Sequence, residues 1–96
     1  MTGVGKISKG RPFGSKSFEP VSAAAFGQVV RETRVALGVS QEDLALRSNL
    51  ERAHVGRIER GENQPTLWVI LKLAEGLSIS PGLLVDQAVQ RIAGAE

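Results

Sequence analysis

The chain has no cysteine and no tyrosine, and its one histidine is His54, so thiol, phenol and paired-imidazole chemistry are missing. Without cysteine there is neither a disulfide framework nor a thiolate metal site, and a lone imidazole builds no metal centre by itself. With no second histidine and no glycine-rich phosphate loop, a catalytic constellation has little to be made from. No enzyme activity, cofactor or metal is expected. No apolar run is long enough to cross a membrane, and the N-terminal stretch lacks the apolar segment of a secretory signal. A cytoplasmic protein is expected.

Net charge is also small, +2 from 12 Lys and Arg against 10 Asp and Glu, too little to argue for nucleic acid on its own. Its distribution says more. Residues 1–20 hold four of the basic groups, Lys6, Lys9, Arg11 and Lys16, against Glu19 alone, leaving eight basic and nine acidic groups in residues 21–96. A folded part that binds nucleic acid must then gather its positive charge locally. The expected focus is Arg31, Arg47, Arg52, Arg57 and Arg60, with Glu32, Glu75, Asp86 and Glu96 kept away from it.

Residues 1–20 are rich in Gly, Ser and Lys, are broken by Pro12 and Pro20, and show no helical or strand periodicity. They read as a flexible basic arm. Within it Lys9-Gly10-Arg11-Pro12 resembles the Arg-Gly-Arg-Pro core of an AT-hook, which makes Lys9 and Arg11 candidates for a narrow minor groove. A solubilising tail is the competing reading of the same residues.

Residues 21–96 read as one domain of five helices ending in a dimerisation helix. Ser22 is expected to cap the first, which buries Phe26, Val30, Thr33 and Leu37 and stops at Gly38. Ser40, followed by Asp43 three residues on, starts a second helix, and Ser48-Asn49 ends it in a turn. The third runs over residues 51–60, with Val55, Ile58 and Glu59 on one side, Arg52, Ala53, Gly56, Arg57 and Arg60 on the other, and Gly61 as its left-handed stop. The fourth begins at Pro65-Thr66, buries Leu67, Ile70, Leu71 and Ala74, and closes at Gly76. The fifth opens with Pro81 at its first position and buries Leu84, Val85, Ala88 and Ile92. Trp68 reads either as half-buried packing or as a contact to phosphate or a partner.

Two short helices around a tight turn, from Ser40 to Gly61, have the form of a helix-turn-helix DNA reader. Arginine on a helix is by default a solvated face, but this context favours the major groove, where a guanidinium donates twice to a guanine edge. Arg52 and Arg57 lie about 140° apart round the helix and flank Ala53, whose methyl suits a thymine methyl. Gly56 costs a helix interior about 1 kcal/mol relative to alanine, which either packing or close approach to DNA would offset.

From about Phe26 to Leu84 the chain resembles the phage-repressor (Cro/CI, or Xre) type of helix-turn-helix regulator. The resemblance rests on Phe26-Gly27, Arg31 and Arg34, Leu37-Gly38-Val39-Ser40-Gln41, Leu44-Ala45, Ile58-Glu59-Arg60-Gly61, Asn63, Pro65-Thr66-Leu67, Leu71, Leu73-Ala74 and Leu77. It implies an all-α, five-helix, lambda-repressor-like domain of a bacterium or phage. Such a protein binds double-stranded DNA as a homodimer, reads a near-palindromic operator through recognition helix 51–60, and regulates transcription. It further implies that Arg52, Ala53 and Arg57 read bases, and that Gln41 bonds a phosphate while bracing the recognition helix. His54, Asn63, Gln64 and Thr66 join Arg31, Arg47 and Arg60 along the backbone phosphates. By the same resemblance Arg34 and Glu59 form a buried structural ion pair, and Leu83, Leu84, Gln87 and Ala88 form the homodimer contact. Glu51 departs from the family, which usually has a Ser, Thr or Asp cap there. The competing function is an antitoxin or adaptor that uses the same fold to hold a protein partner. A partner-binding extension after Ala95 is not expected, and the arm of residues 1–20 is the segment that could take that role.

Overall fold

The computed structural model describes residues 18–95, so the arm residues Lys9 and Arg11 lie outside the described region. Five α-helices follow in order: α1 Pro20–Leu37, α2 Gln41–Ser48, α3 Arg52–Glu59, α4 Leu67–Leu77 and α5 Pro81–Ala95. There is no strand among the described residues, and no single helix there is long and apolar enough to cross a membrane. The longest pair, α1 and α5, pack on each other, α2 lies on α4, and α3 is held between α1 and α2. Leu44, Val55, Ile58, Leu73 and Leu84 meet in one core, each at most 1% exposed.

Caps explain most of the helix ends. Ser40 accepts from the Asp43 amide and Asp43 reaches back to the Ser40 amide, the reciprocal pair expected from the sequence. Thr66 caps α4 by accepting from the Val69 amide at 3.2 Å. Two ends differ from expectation. Pro20, assigned to the arm, is the first residue of α1, and Glu19 rather than Ser22 is its cap. The Glu19 carboxylate accepts from the amides of Ser22 at 2.7 Å and Val21 at 3.2 Å, and those bonds hold its pKa below the usual carboxylate value. At the other end of the domain α4 runs through Gly76 to Leu77 and stops at Ser78, which takes the left-handed conformation itself.

The inward face of α4 is also a correction. Leu67 and Leu71 are exposed and Ile70 is half-buried, whereas Ala74 is buried as expected, together with Val69, Leu73 and Leu77. Gly76 continues the helix because α2 crosses there: a Cβ on it would overlap Ser48 Oγ and stand 3.0 Å from a Leu44 methyl. In α1, Leu37 is exposed, Thr33 is half-buried, and Val29 joins Phe26 and Val30 in the core. In α5, Val85 is exposed while Leu84 and Ala88 are buried, so those two have no surface to offer a second copy. Of the expected dimer residues, Leu83 is exposed and Gln87 half-buried.

Ser48 is fully buried and its hydroxyl has no hydrogen-bond partner among the described residues. An unpaired buried hydroxyl costs stability, and alanine is the better helix former. Ser48→Ala is therefore expected to leave the fold intact and raise stability by up to about 1 kcal/mol. Chemical denaturation followed by far-UV circular dichroism measures it. A lower midpoint would show that the hydroxyl bonds a carbonyl of its own helix.

Candidate nucleic-acid interface

The turn between α2 and α3 is built from local chemistry. Asn49 adopts the left-handed conformation at φ 56°, and the Leu50 amide donates back to the Ala45 carbonyl at 2.9 Å. Glu51, extended, starts α3 without any side-chain cap hydrogen bond. At the far end Gly61, at φ 73°, lets the Glu62 amide return to the Arg57 carbonyl at 2.9 Å. Gly61 also abuts α1, since a Cβ on it would stand 2.9 Å from the Ala24 Cα.

The inward side of α3 is locked at one carboxylate. Glu59, its side chain 2% exposed, accepts from Arg34 Nε at 2.7 Å and Arg34 Nη2 at 3.1 Å. Its Oε1 also accepts from Gln41 Nε2 at 2.9 Å, so one residue of α3 is tied to α1 and α2 together. Arg34 completes the arrangement by donating to the Val39 carbonyl at 2.9 Å, in the segment between α1 and α2.

The outward side is open. Arg52 and Ala53 are exposed in the first turn, and Arg57 and His54 are half-buried. Neither Arg52 nor Arg57 has an ion pair among the described residues, so both guanidinium groups are available to a ligand. Arg31 on α1 and Arg47 in the last turn of α2 are exposed as well. For Gly56 the packing reading is the one its surroundings favour. It is buried, and what approaches it is the protein's own side chains: a Cβ there would stand 3.0 Å from Arg60 Nη1 and 3.8 Å from Gln41 Oε1.

In the loop after α3 the expected phosphate residues divide. Asn63 is half-buried. Gln64 is occupied: its Oε1 accepts from the Glu19 amide at 2.8 Å and its Nε2 donates to Ser22 Oγ at 3.3 Å, strapping the loop to the start of α1. Thr66 is committed as the cap of α4. Arg60 is paired through Nε and Nη2 with the Glu62 carboxylate at 2.8 and 3.3 Å. Arg60 chiefly, and Arg57 more weakly, hold the Glu62 carboxyl below its usual range. The sequence reading missed Glu62, because a partner two residues away across a helix end depends on the local backbone path rather than on any helical spacing.

Two short helices around a tight turn, the second with its apolar side in the core and its arginine side in solvent, define a helix-turn-helix DNA-binding domain. Comparison with known proteins agrees. Residues 30–84 match the helix-turn-helix family model, and the chain belongs to that family, the Xre (Cro/CI) type of DNA-binding transcriptional regulators. Control protein C.BamHI of Bacillus amyloliquefaciens is 39% identical over 62 residues, covering 64% of this chain and 76% of that one. Control protein C.SmaI of Serratia marcescens is 39% identical over 66 residues, 68% of this chain and 79% of its own. Among solved structures, the restriction-modification controller protein C.AhdI of Aeromonas hydrophila is 50% identical, with 65% of this chain and 94% of that chain covered and a TM-score of 0.63. The controller C.Esp1396I, solved as a tetramer on its natural 35 base-pair operator, is 28% identical. It covers 78% of this chain and 99% of its own, with a TM-score of 0.72.

Proposed function

We propose that this protein is a sequence-specific controller of a restriction-modification system that binds a near-palindromic operator as a homodimer and places α3 of each copy in the major groove. The observation that carries the reading is the division of α3: Glu59 anchors its inner side, while Arg52, Ala53 and Arg57 stand outward. The four relatives named above, each called a control or controller protein, support the restriction-modification role, and the operator complex of one of them supports assembly of several copies on DNA. With Leu84 and Ala88 in the core, the surface best suited to pairing is the apolar face of α4. Leu67, Trp68 and Leu71 are 71%, 55% and 45% exposed there, and Leu83 is exposed at the start of α5. Lys72 Nζ sits 5.4 Å from the Trp68 ring centroid and covers one side of it.

The test is selection of binding sites from a random DNA pool, followed by comparison of the selected site with scrambled DNA. An enriched inverted repeat is expected. Arg52→Ala should then cost about 1–3 kcal/mol on the selected site and relax preference at one base pair, whereas Gln41→Ala should weaken all sequences alike. Equal losses for Arg52→Ala on both DNAs would remove it from base reading. No enrichment, with a second protein co-purifying, would replace the operator reading by the adaptor one.

A further inference from the structure

Glu51, Arg52 and Ala53 are three exposed residues in a row at the start of α3, ahead of the buried residues that begin at Val55. A glutamate is out of place on a surface that meets DNA, because a carboxylate has no proton to give a phosphate and is repelled by it. Such a residue ordinarily has a task within the protein, as a cap or as half of an ion pair.

Glu19 shows what a glutamate does as a cap in this fold: in the extended conformation it accepts from the amides of Val21 and Ser22. Glu51 is the same residue, also extended, in the same place before a helix, yet its carboxylate accepts from no amide of α3. The helix starts on its carbonyl instead, which takes the amides of His54 at 3.0 Å and Val55 at 3.1 Å. Ion pairing does not occupy the side chain either. Among the described residues Arg34, Arg60, Lys72 and Arg91 pair with Glu59, Glu62, Glu75 and Glu32. Glu51 pairs with none of them, nor with Arg52, which follows it directly. A charged acceptor thus stands uncommitted beside an uncommitted guanidinium.

A carboxylate has a narrow choice of partners in the major groove. It only accepts, and the donors on base edges there are the exocyclic amino groups, N4 of cytosine and N6 of adenine, whereas the polar edges of guanine and thymine accept. The first residues of a helix lying in that groove are the ones that meet base edges. We infer that Glu51 is a specificity-determining residue, which accepts a hydrogen bond from the exocyclic amino group of one base in each half-site, beside the base pair read by Arg52. The inference rests on the operator-binding reading above and deepens it. The two neighbours act in opposite senses: Arg52 is attracted to any DNA and prefers guanine, while Glu51 is repelled by any DNA and is compensated where an amino group meets it. Specificity is a difference of affinities, so a side chain that weakens binding everywhere but at the correct base sharpens it.

The experiment selects sites from one random DNA pool with the parent, Glu51→Gln and Glu51→Ala. It then measures affinity for the parent's operator, for that operator with the assigned base changed to each of the others, and for scrambled DNA, alongside thermal unfolding. The parent should require cytosine or adenine at one position of each half-site, next to the position relaxed by Arg52→Ala, and the base found identifies which amino group is read. Glu51→Gln should admit guanine or thymine there as well, since its amide also donates. Glu51→Ala should be indifferent at that position alone. Its affinity for scrambled DNA should rise by up to about fivefold, the scale of one exposed like-charge contact, and its ratio of operator to scrambled affinity should fall about tenfold. An equal gain on both DNAs overturns the inference, because the carboxylate would then only repel phosphates. Unchanged base preferences in both variants overturn it too, and a lower melting temperature with them would assign Glu51 to the dipole of α3 instead. If the parent enriches no site, the operator reading itself fails, a result distinct from either of these.

Discussion

Arg34→Ala is expected to destabilise the domain by about 3–5 kcal/mol, a large part of what a domain this size has to lose. The substitution strands the Glu59 carboxylate, 2% exposed, with Gln41 as its remaining partner, and frees the Val39 carbonyl that Arg34 also satisfies. Most of that loss comes from a charge left buried without its counter-charge, not from the worth of the pair itself. Replacing Arg34 and Glu59 together by methionine should therefore cost much less than Arg34→Ala alone. Urea denaturation of the three chains measures both effects. A parent-like midpoint for Arg34→Ala would show that the pair contributes nothing to the fold.

Gly27→Ala should be as damaging, for a steric reason. A Cβ at position 27 would overlap the carbonyl oxygen of Ile58 and stand 2.9 Å from that of Glu59. Both obstacles are backbone, so no rotamer change relieves them. Overpacking of this kind costs about 1–3 kcal/mol, occasionally more, when side chains can move, and the upper end or beyond is expected where they cannot. Relief requires α1 and α3 to part, which also lengthens the Arg34 to Glu59 bonds. Loss of cooperative melting in far-UV circular dichroism is the expected outcome. Parent-like melting would mean that the two helices slide past each other at little cost.

How much could be read in advance depended on how local the responsible physics is. The start of α2 at Ser40, the turn after Ser48, the stop at Gly61 and the start of α5 at Pro81 all follow from neighbours within four residues. The inward face of α4 did not, because Leu67-Trp68-Val69-Ile70-Leu71 is apolar at every position and periodicity has nothing to choose between. Packing chose: Gly76 faces Ser48 and Leu44, and that contact rotates Val69 and Leu73 inward and Leu67 and Leu71 out. The start of α1 was misplaced because a glutamate cap is less common than a serine one, and Ser22 offered the familiar choice. At the site, the outward arginines of α3 were legible from spacing. The pairing of Arg34 with Glu59 was expected only through family resemblance, since 25 residues separate them. The folding back of Arg60 over Gly56 had no sequence signal at all.

The single carboxylate that secures α3 separates what the helix must keep from what it is free to change. Glu59, Val55 and Ile58 hold its position, whereas Arg52 makes no side-chain hydrogen bond among the described residues and Ala53 stands exposed. Under the proposed operator reading, new side chains at those two positions should alter which base pairs are preferred while leaving the melting temperature nearly unchanged. The domain is thus a socket with an exchangeable key, and a handful of substitutions could give two copies of such a gene distinct operators and hence independent circuits in one cell.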